Sequence, residues 1–266
     1  MARVISVFNQ KGGVGKTTTV INLAASLAAL GRYTLVVDFD PQANATTSLG
    51  FKPKKEENIY QLLAENLKPE EAIKKTPLFG LEIIPSHPDL AGALVELIET
   101  ENRESQLKKS INVISHLYDY ILIDLPPSLT LLTINGLIAS QEIVIPLQCE
   151  YLSLEGLGQL FETIGLLEKN FNHKIKVKGG LLTMYDRREK LSKEVAKNVW
   201  RYFPYYLFQT IIPRSVLAAE APSFGKPLIL YQPNSSINRA FLRLAKEIIS
   251  LDSEDELKKY KFGNLV

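Results

Sequence analysis

Residues 9–19 read NQKGGVGKTTT. An apolar run, RVISVF (3–8), precedes them. An Ala/Leu-rich stretch with helical spacing, about 16–30, follows and stops at Gly31. Gly12, Gly13 and Gly15 let the backbone take conformations closed to other residues and approach an anion closely. The amides of Gly13, Val14, Gly15, Lys16, Thr17 and Thr18 then face phosphate oxygens at the positive end of the helix. Lys16 is placed to hold β- and γ-phosphates, and the Thr17 hydroxyl to ligate Mg²⁺. The stretch departs from the usual phosphate-loop pattern once. A glycine is due at position 10, but Gln10 stands there and a second lysine, Lys11, follows.

Such a loop needs a strand before it and a helix after it, and the rest of the chain continues that alternation. TLVVDFD (34–40), LEIIP (81–85), YILIDLP (120–126), EIVIPL (142–147) and KVKGGLLT (176–183) read as further buried strands. They are nearly continuous apolar runs, as parallel strands covered on both faces should be. Helical patterns fall at about 88–98, 104–117, 130–139, 153–169, 189–202 and 235–250, and 52–75 reads as a surface helix pair. The expected fold is α/β: one domain over residues 1–266, a doubly wound, mostly parallel sheet flanked by helices. Ligands in such sheets bind beyond the carboxyl ends of the strands. The loops after RVISVF, TLVVDFD, YILIDLP and KVKGGLLT are therefore where chemistry is sought.

Magnesium takes oxygen ligands and keeps several waters. YILIDLP ends a strand in Asp124, the expected second metal anchor, acting through water. Asp38, nearer its strand, is suited to the metal shell or to hydrogen bonding with the phosphate loop. Asp40 opens the turn DPQ, where it could orient an attacking water. No Asn-Lys-x-Asp guanine reader appears, which favours ATP over GTP.

Composition excludes other classes. The 266 residues are 45% hydrophobic with a mean hydropathy of zero, enough for a sizeable core. One cysteine, Cys149, rules out an internal disulfide or an iron–sulfur cluster held by one chain, and its apolar surroundings predict a buried thiol. No run approaches ~18 consecutive apolar residues and no secretory leader pattern appears, so the expectation is a soluble cytoplasmic protein. His87, His116 and His173 have no ligand spacing. Trp200 and YFPYYLF (202–208) are expected to pack the core or flank a strand. Charge is uneven: residues 1–150 carry 13 Lys/Arg against 17 Asp/Glu, whereas 174–246 carry 14 against 4. That bias points to a polyanion partner.

KGGVGKTT (11–18), DFDPQANATTSLG (38–50), ILIDLPPS (121–128), TMYDRR (183–188) and IPRSVLAAEAPSFGKP (212–227) together resemble the ParA/Soj family of partition ATPases, P-loop NTPases of the SIMIBI class with a deviant Walker A loop. The resemblance spans nearly the whole chain. It implies that Lys11 reaches across an ATP-dependent homodimer to phosphates held by the other subunit, and that Asp40 serves hydrolysis. It further implies that Met184 and Pro213 pack adenine. Non-specific double-stranded DNA is then bound through Arg188, with Lys190, Lys193, Arg214 and Lys226 as further basic candidates, on a nucleoid-associated dimer. A ParB-like centromere-binding protein would stimulate hydrolysis. One position departs from the family pattern: Leu217 fills a slot that is basic in many members. The alternative is a MinD-like membrane- or cargo-positioning ATPase, but the tail DSEDELKKYKFGNLV (252–266) has 4 acids against 3 bases, a poor membrane helix. No stable membrane association is expected.

Overall fold

All six apolar runs form parallel strands. In the computed structural model, which describes residues 1–64, 66–97, 101–150 and 155–263, they are β1 (Arg3–Val7), β2 (Thr34–Asp38), β4 (Leu81–Ile84), β5 (Tyr120–Asp124), β6 (Glu142–Gln148) and β7 (Lys176–Thr183). A two-residue strand, β3 (Lys74–Lys75), pairs antiparallel with β4 at one edge. It interrupts the segment read as a surface helix pair, of which only α3 (Ile59–Leu63) and α4 (Pro69–Ala72) are helical. The sheet order is β3-β4-β2-β5-β1-β6-β7. β1 thus lies between β5 and β6, where the chain's direction of winding reverses, and the loop leaving it opens into the crevice of a doubly wound sheet.

The strands are apolar on both faces because both faces are covered. Within β2, Leu35 and Val37 join one core and Val36 the other. The first core is roofed by α3, α6 (Gln106–Ile114), α7 (Leu131–Ala139), α8 (Glu155–Phe171) and α9 (Lys190–Tyr202). The second is roofed by α1 (Lys16–Ala29), α2 (Asn44–Ser48) and α12 (Ser236–Gly263). The pattern at 88–98 resolves into a 3₁₀ turn, Pro88–Ala91, and the short helix α5 (Ala93–Glu96), with proline at the start of the turn. The predicted start of the helix at 153 lies outside the described residues. Two very short helices, α10 (Leu217–Glu220) and α11 (Leu228–Tyr231), complete the chain between α9 and α12.

β7 carries Gly179-Gly180, which lets aromatic rings lie on the strand. A Cβ on Gly180 would stand 2.8 Å from the Phe203 ring. Phe203 and Phe208 are accordingly buried, but the other aromatics of that stretch are not. Trp200 and Tyr202 are 51% and 63% exposed. The buried stripe of α9 is Ser192, Val195, Ala196 and Val199, and Trp200 falls just outside it. The core reading of these residues is corrected to that extent. Cys149 is buried as expected, and burial pushes its thiol up to about 11 against a hydrogen bond from Ser192. Among the described residues no helix is long and apolar enough to cross a membrane.

Candidate functional site

The 9–15 loop is held from three sides before any ligand is considered. Asn9 Nδ2 donates to the Pro146 carbonyl of β6 at 2.8 Å, and its Oδ1 accepts from the Lys11 amide at 3.0 Å. Gln10 Nε2 donates to Thr163 Oγ1 of α8, and Thr183 Oγ1 at the end of β7 donates to the Val14 carbonyl. Gly13 (φ 72°) and Gly15 (φ 86°) are left-handed, and Gly15 is the residue that opens α1. Such angles are strained for any residue with a Cβ. Gly12 does not share them, which corrects the expectation that all three glycines serve a special backbone conformation. It is exposed, and a Cβ added there would meet nothing within 4 Å of its own chain. α1 has no acidic residue in its first turn and no side-chain cap. Its first amides therefore have no anion of their own, the condition for an exogenous one.

The two lysines of the loop have separate surroundings. Lys16 is 8% exposed and folds back so that Nζ donates to the Lys11 carbonyl at 3.0 Å. Burial lowers its pKa, while the nearby charges of Asp124 and Asp40 oppose that shift. The Lys11 side chain is 35% exposed and stands 3.9 Å from Glu150, just beyond β6. Glu150 also accepts from Gln148 Nε2 at 2.7 Å and Arg214 Nη2 at 3.3 Å. Nothing in the sequence pointed to Glu150, which is drawn to Lys11 only by the fold.

Three aspartates gather at the carboxyl ends of β2 and β5. Asp124 is fully buried, and neither carboxylate oxygen has a donor in hydrogen-bonding geometry among the described residues. Burial, then the charge of Asp38, raises its pKa well above the usual range, although Thr17 and Lys16 lie close enough to favour the ionised form. Asp38 is equally buried but fully engaged. Its Oδ2 accepts from both the amide and the hydroxyl of Thr46 at 2.7 Å, and its Oδ1 from the Asp40 amide at 3.3 Å. Burial pushes Asp38 up to about 6 against those bonds. Of the two roles considered for Asp38, metal shell or hydrogen bond to the phosphate loop, the second is not seen among the described residues, where its donors are Thr46 of α2 and the Asp40 amide. Asp40 is 8% exposed, and its Oδ1 accepts from the Gln42 amide at 2.9 Å.

Next to Gly15 lies a cavity of about 270 Å³ lined by Thr18, Met184, Pro213 and Phe241. Met184 has φ 52°, an uncommon conformation for a non-glycine residue that clusters at functional sites. Tyr185 bridges Pro213, so the 183–188 and 212–214 segments run side by side. This brings Arg188 and Arg214 to one patch, where both lower the pKa of Asp186, Arg188 more strongly through its hydrogen bonds. Arg188 is 84% exposed, yet its guanidinium forks onto Asp186 at 3.0 and 2.7 Å. Lys190 and Lys193 follow, exposed, on α9. Lys226 stands elsewhere, at a small cavity with Thr17, Thr18, Asn22 and Ser48. Leu217 is half-buried and packs on the α1/α12 core.

The buried, donor-less carboxylate of Asp124 beside Lys16 and Thr17 fits a small hard cation. Among the described residues no three carboxylates, imidazoles or thiols converge as a self-sufficient metal cage.

The AAA domain family profile matches residues 2–177. The chain is 48% identical over 249 residues to the sporulation initiation inhibitor protein Soj of Bacillus subtilis, covering 93% of this chain and 98% of that one. It is 47% identical over 254 residues to the chromosome partitioning protein ParA of Myxococcus xanthus, covering 95% and 90%. Among solved structures, cobyrinic acid a,c-diamide synthase from Mycobacterium smegmatis with bound ADP and magnesium superposes with a TM-score of 0.81 at 34% identity, covering 99% and 97%.

Proposed function

The chain belongs to the Soj/ParA family of chromosome-partitioning ATPases, and on that premise we propose how its residues carry the cycle. ATP is held by the amides of residues 13–18 and by Lys16, with its adenine in the cavity between Met184 and Pro213. Gly12, bare of a side chain, leaves the mouth of the loop open to the phosphates. Mg²⁺ is held by Thr17 and, through water, by Asp124, with Asp38 behind them. The ion supplies electrostatic compensation on the β- and γ-phosphate oxygens. Asp40 orients the attacking water. The structural neighbour crystallised with ADP and magnesium supports this ligand pair.

The observation that carries the reading is the division between the lysines: Lys16 turned in against its own loop, Lys11 outside it against Glu150. Two cations on one phosphate would repel each other. A second copy of the chain, face to face, gives Lys11 a phosphate of its own and makes it a cation supplied in trans. ATP thereby joins the dimer and hydrolysis releases it. The dimer presents Arg188, Arg214, Lys190 and Lys193 to the phosphates of double-stranded DNA without reading sequence. Lys226 extends the basic surface near the phosphate loop. A ParB-like centromere-binding protein accelerates hydrolysis, and the site of action is the cytoplasm at the nucleoid. The MinD-like alternative needs a basic amphipathic tail. The tail, with 4 acids against 3 bases, weighs against it.

The test is size-exclusion chromatography with light scattering in ATP, in an Asp40→Ala background that traps the ATP state. That single variant is expected to run as a dimer with ATP and a monomer with ADP. Adding Lys11→Ala should leave a monomer that still binds ATP, with DNA affinity reduced accordingly. A double variant that remains an ATP-dependent dimer would remove Lys11 from the interface.

A further inference from the structure

We infer that Thr46 is a positioning residue for ATP hydrolysis, fixing Asp40 through a closed hydrogen-bond circuit with Asp38 and Ser86. The inference rests on the reading of Asp40 as the hydrolytic aspartate. Asp40 sits on the short connection from β2 to α2, a helix that begins after a left-handed Ala43 (φ 52°) and has no side-chain cap. A connection of that kind does not by itself hold a carboxylate to within the fraction of an ångström that orienting a water demands. The surrounding bonds do.

Thr46, on α2, is 0% exposed. Its amide and hydroxyl both donate to Asp38 Oδ2, which ties α2 back to the end of β2. The same hydroxyl accepts from the Ser86 amide at 2.8 Å, which ties α2 to the chain leaving β4. Ser86 Oγ donates to the Asp40 carbonyl at 2.8 Å, and the Asp40 amide donates to Asp38 Oδ1. The circuit therefore grips Asp40 at its carbonyl and at its amide, and passes through Thr46 Oγ1 as both donor and acceptor. Asp38, Thr46 and Ser86 are all fully buried, so no water competes for these bonds. No hydrogen bond joins Thr46 to Asp40 directly. The Ser86 bond that it anchors is a main-chain donor, available whatever the side chain there.

Thr46→Val keeps the branched shape and removes the hydroxyl, leaving the Ser86 amide unpaired and Asp38 Oδ2 with one donor. The expected result is a kcat lower by roughly tenfold to a hundredfold, with KM for ATP and affinity for ADP within about twofold of wild type, since the phosphate loop is untouched. Thr46→Ser should restore kcat. In an Asp40→Ala background Thr46→Val should cause no further loss from the residual rate, because its effect passes through Asp40. If Thr46→Val does not fold, Thr46→Ala carries the same test, its smaller side chain leaving room for a water at the Ser86 amide. Wild-type kcat in the folded variant overturns the inference, as does an equal loss in the Asp40→Ala background. Full turnover in Asp40→Ala itself overturns the Asp40 reading and the inference with it. An inactive Asp40→Ala beside an unaffected Thr46→Val overturns the inference alone.

Discussion

Where the strands begin, Lys178, Glu142, Asp252 and Arg3 are tied to one another. Where they finish, Asp38 and Asp124 lie fully buried, and among the described residues the second has no donor in hydrogen-bonding geometry. At the first end Lys178 Nζ donates to both oxygens of Glu142, at 3.1 and 2.9 Å, and to Asp252 of α12. Asp252 further accepts from the Tyr120 hydroxyl at 2.6 Å and pairs with Arg3 at 3.2 Å. Lys178, Arg3 and, 4.0 Å from Glu142, the more exposed Lys176 compensate the two carboxylates, and the cluster holds α12 to the starts of β1, β5, β6 and β7. At the other end three aspartates face one buried lysine. Burying charge costs several kcal/mol per ion unless a partner compensates it. The first end is charge-compensated in the folded chain, whereas at the second the carboxylates outnumber the lysine. Charge placement alone thus separates the structural end of the sheet from the functional one.

The comparison breaks most visibly at Lys178. Lys178→Met leaves Glu142 facing no lysine at hydrogen-bond distance in an almost solvent-free site, and should lower unfolding free energy by about 3–5 kcal/mol. Urea denaturation measures this. ATP affinity, set at the far end, should stay within about twofold where the variant is folded. A loss below ~1 kcal/mol would show that Lys178 is not compensating buried charge.

At the phosphate end the sign should reverse. Asp124→Asn removes a buried charge without a donor and should raise stability by about 1–3 kcal/mol in EDTA, while Mg²⁺-dependent turnover is lost. The pH dependence follows from the direction of the shift. The Asp124 carboxyl titrates higher in the folded chain than its unfolded value of ~3.9. Its contribution is therefore fully present below that value and fades as pH rises through the folded pKa. The advantage of Asp124→Asn should accordingly be near zero at about pH 3–4 and grow towards neutral pH. A gap that is constant with pH, or that shrinks as pH rises, would mean that Asp124 is not held in a raised state.

How much of this could be read in the sequence depended on how far each interaction reaches along the chain. The 9–15 loop is a contiguous stretch between a strand and a helix, so the special backbone of Gly13 and Gly15 was legible. Gly12 was legible as part of the loop but not in its conformation, because a run of glycines does not say which of them turns left-handed. Asp124 was legible because it ends an apolar run, and all six parallel strands were legible because burial on both faces leaves a continuous apolar signature. Thr46 was not, since its bonds reach 8 residues back to Asp38 and 40 forward to Ser86. Lys178 looked like one more member of a basic segment, yet it is buried because Asp252, 74 residues on, meets it from another element. The same holds for Glu150 with Lys11. Arg188 was named from the family resemblance as a DNA contact, but its fork onto Asp186 is a turn-level arrangement that composition does not reveal. The edge strand β3 was missed because two lysines carry no strand signal, and only the neighbouring β4 gives them one.

The smallest expected effect separates charge compensation from mere packing. Lys178→Met combined with Glu142→Gln removes one cation and one anion together. Asp252 keeps its bonds to Tyr120 and Arg3, so no buried carboxylate is abandoned. Replacing a buried ion pair by neutral groups of similar volume is often neutral or stabilising, whereas removing one member is costly. The double variant should therefore recover most of the loss caused by Lys178→Met and come within about 1 kcal/mol of the parent. Arg3, whose side chain is 22% exposed, retains enough water to tolerate the change. ATP affinity and turnover should match the parent, since nothing at the carboxyl ends of the strands has altered. If the double variant is as unstable as Lys178→Met alone, the far-end cluster acts through shape and not charge, and the contrast between the two ends of the sheet fails. If it is stable but turnover falls, the seating of α12 is transmitted to the nucleotide site, and the two ends are coupled through α1, against which α12 packs.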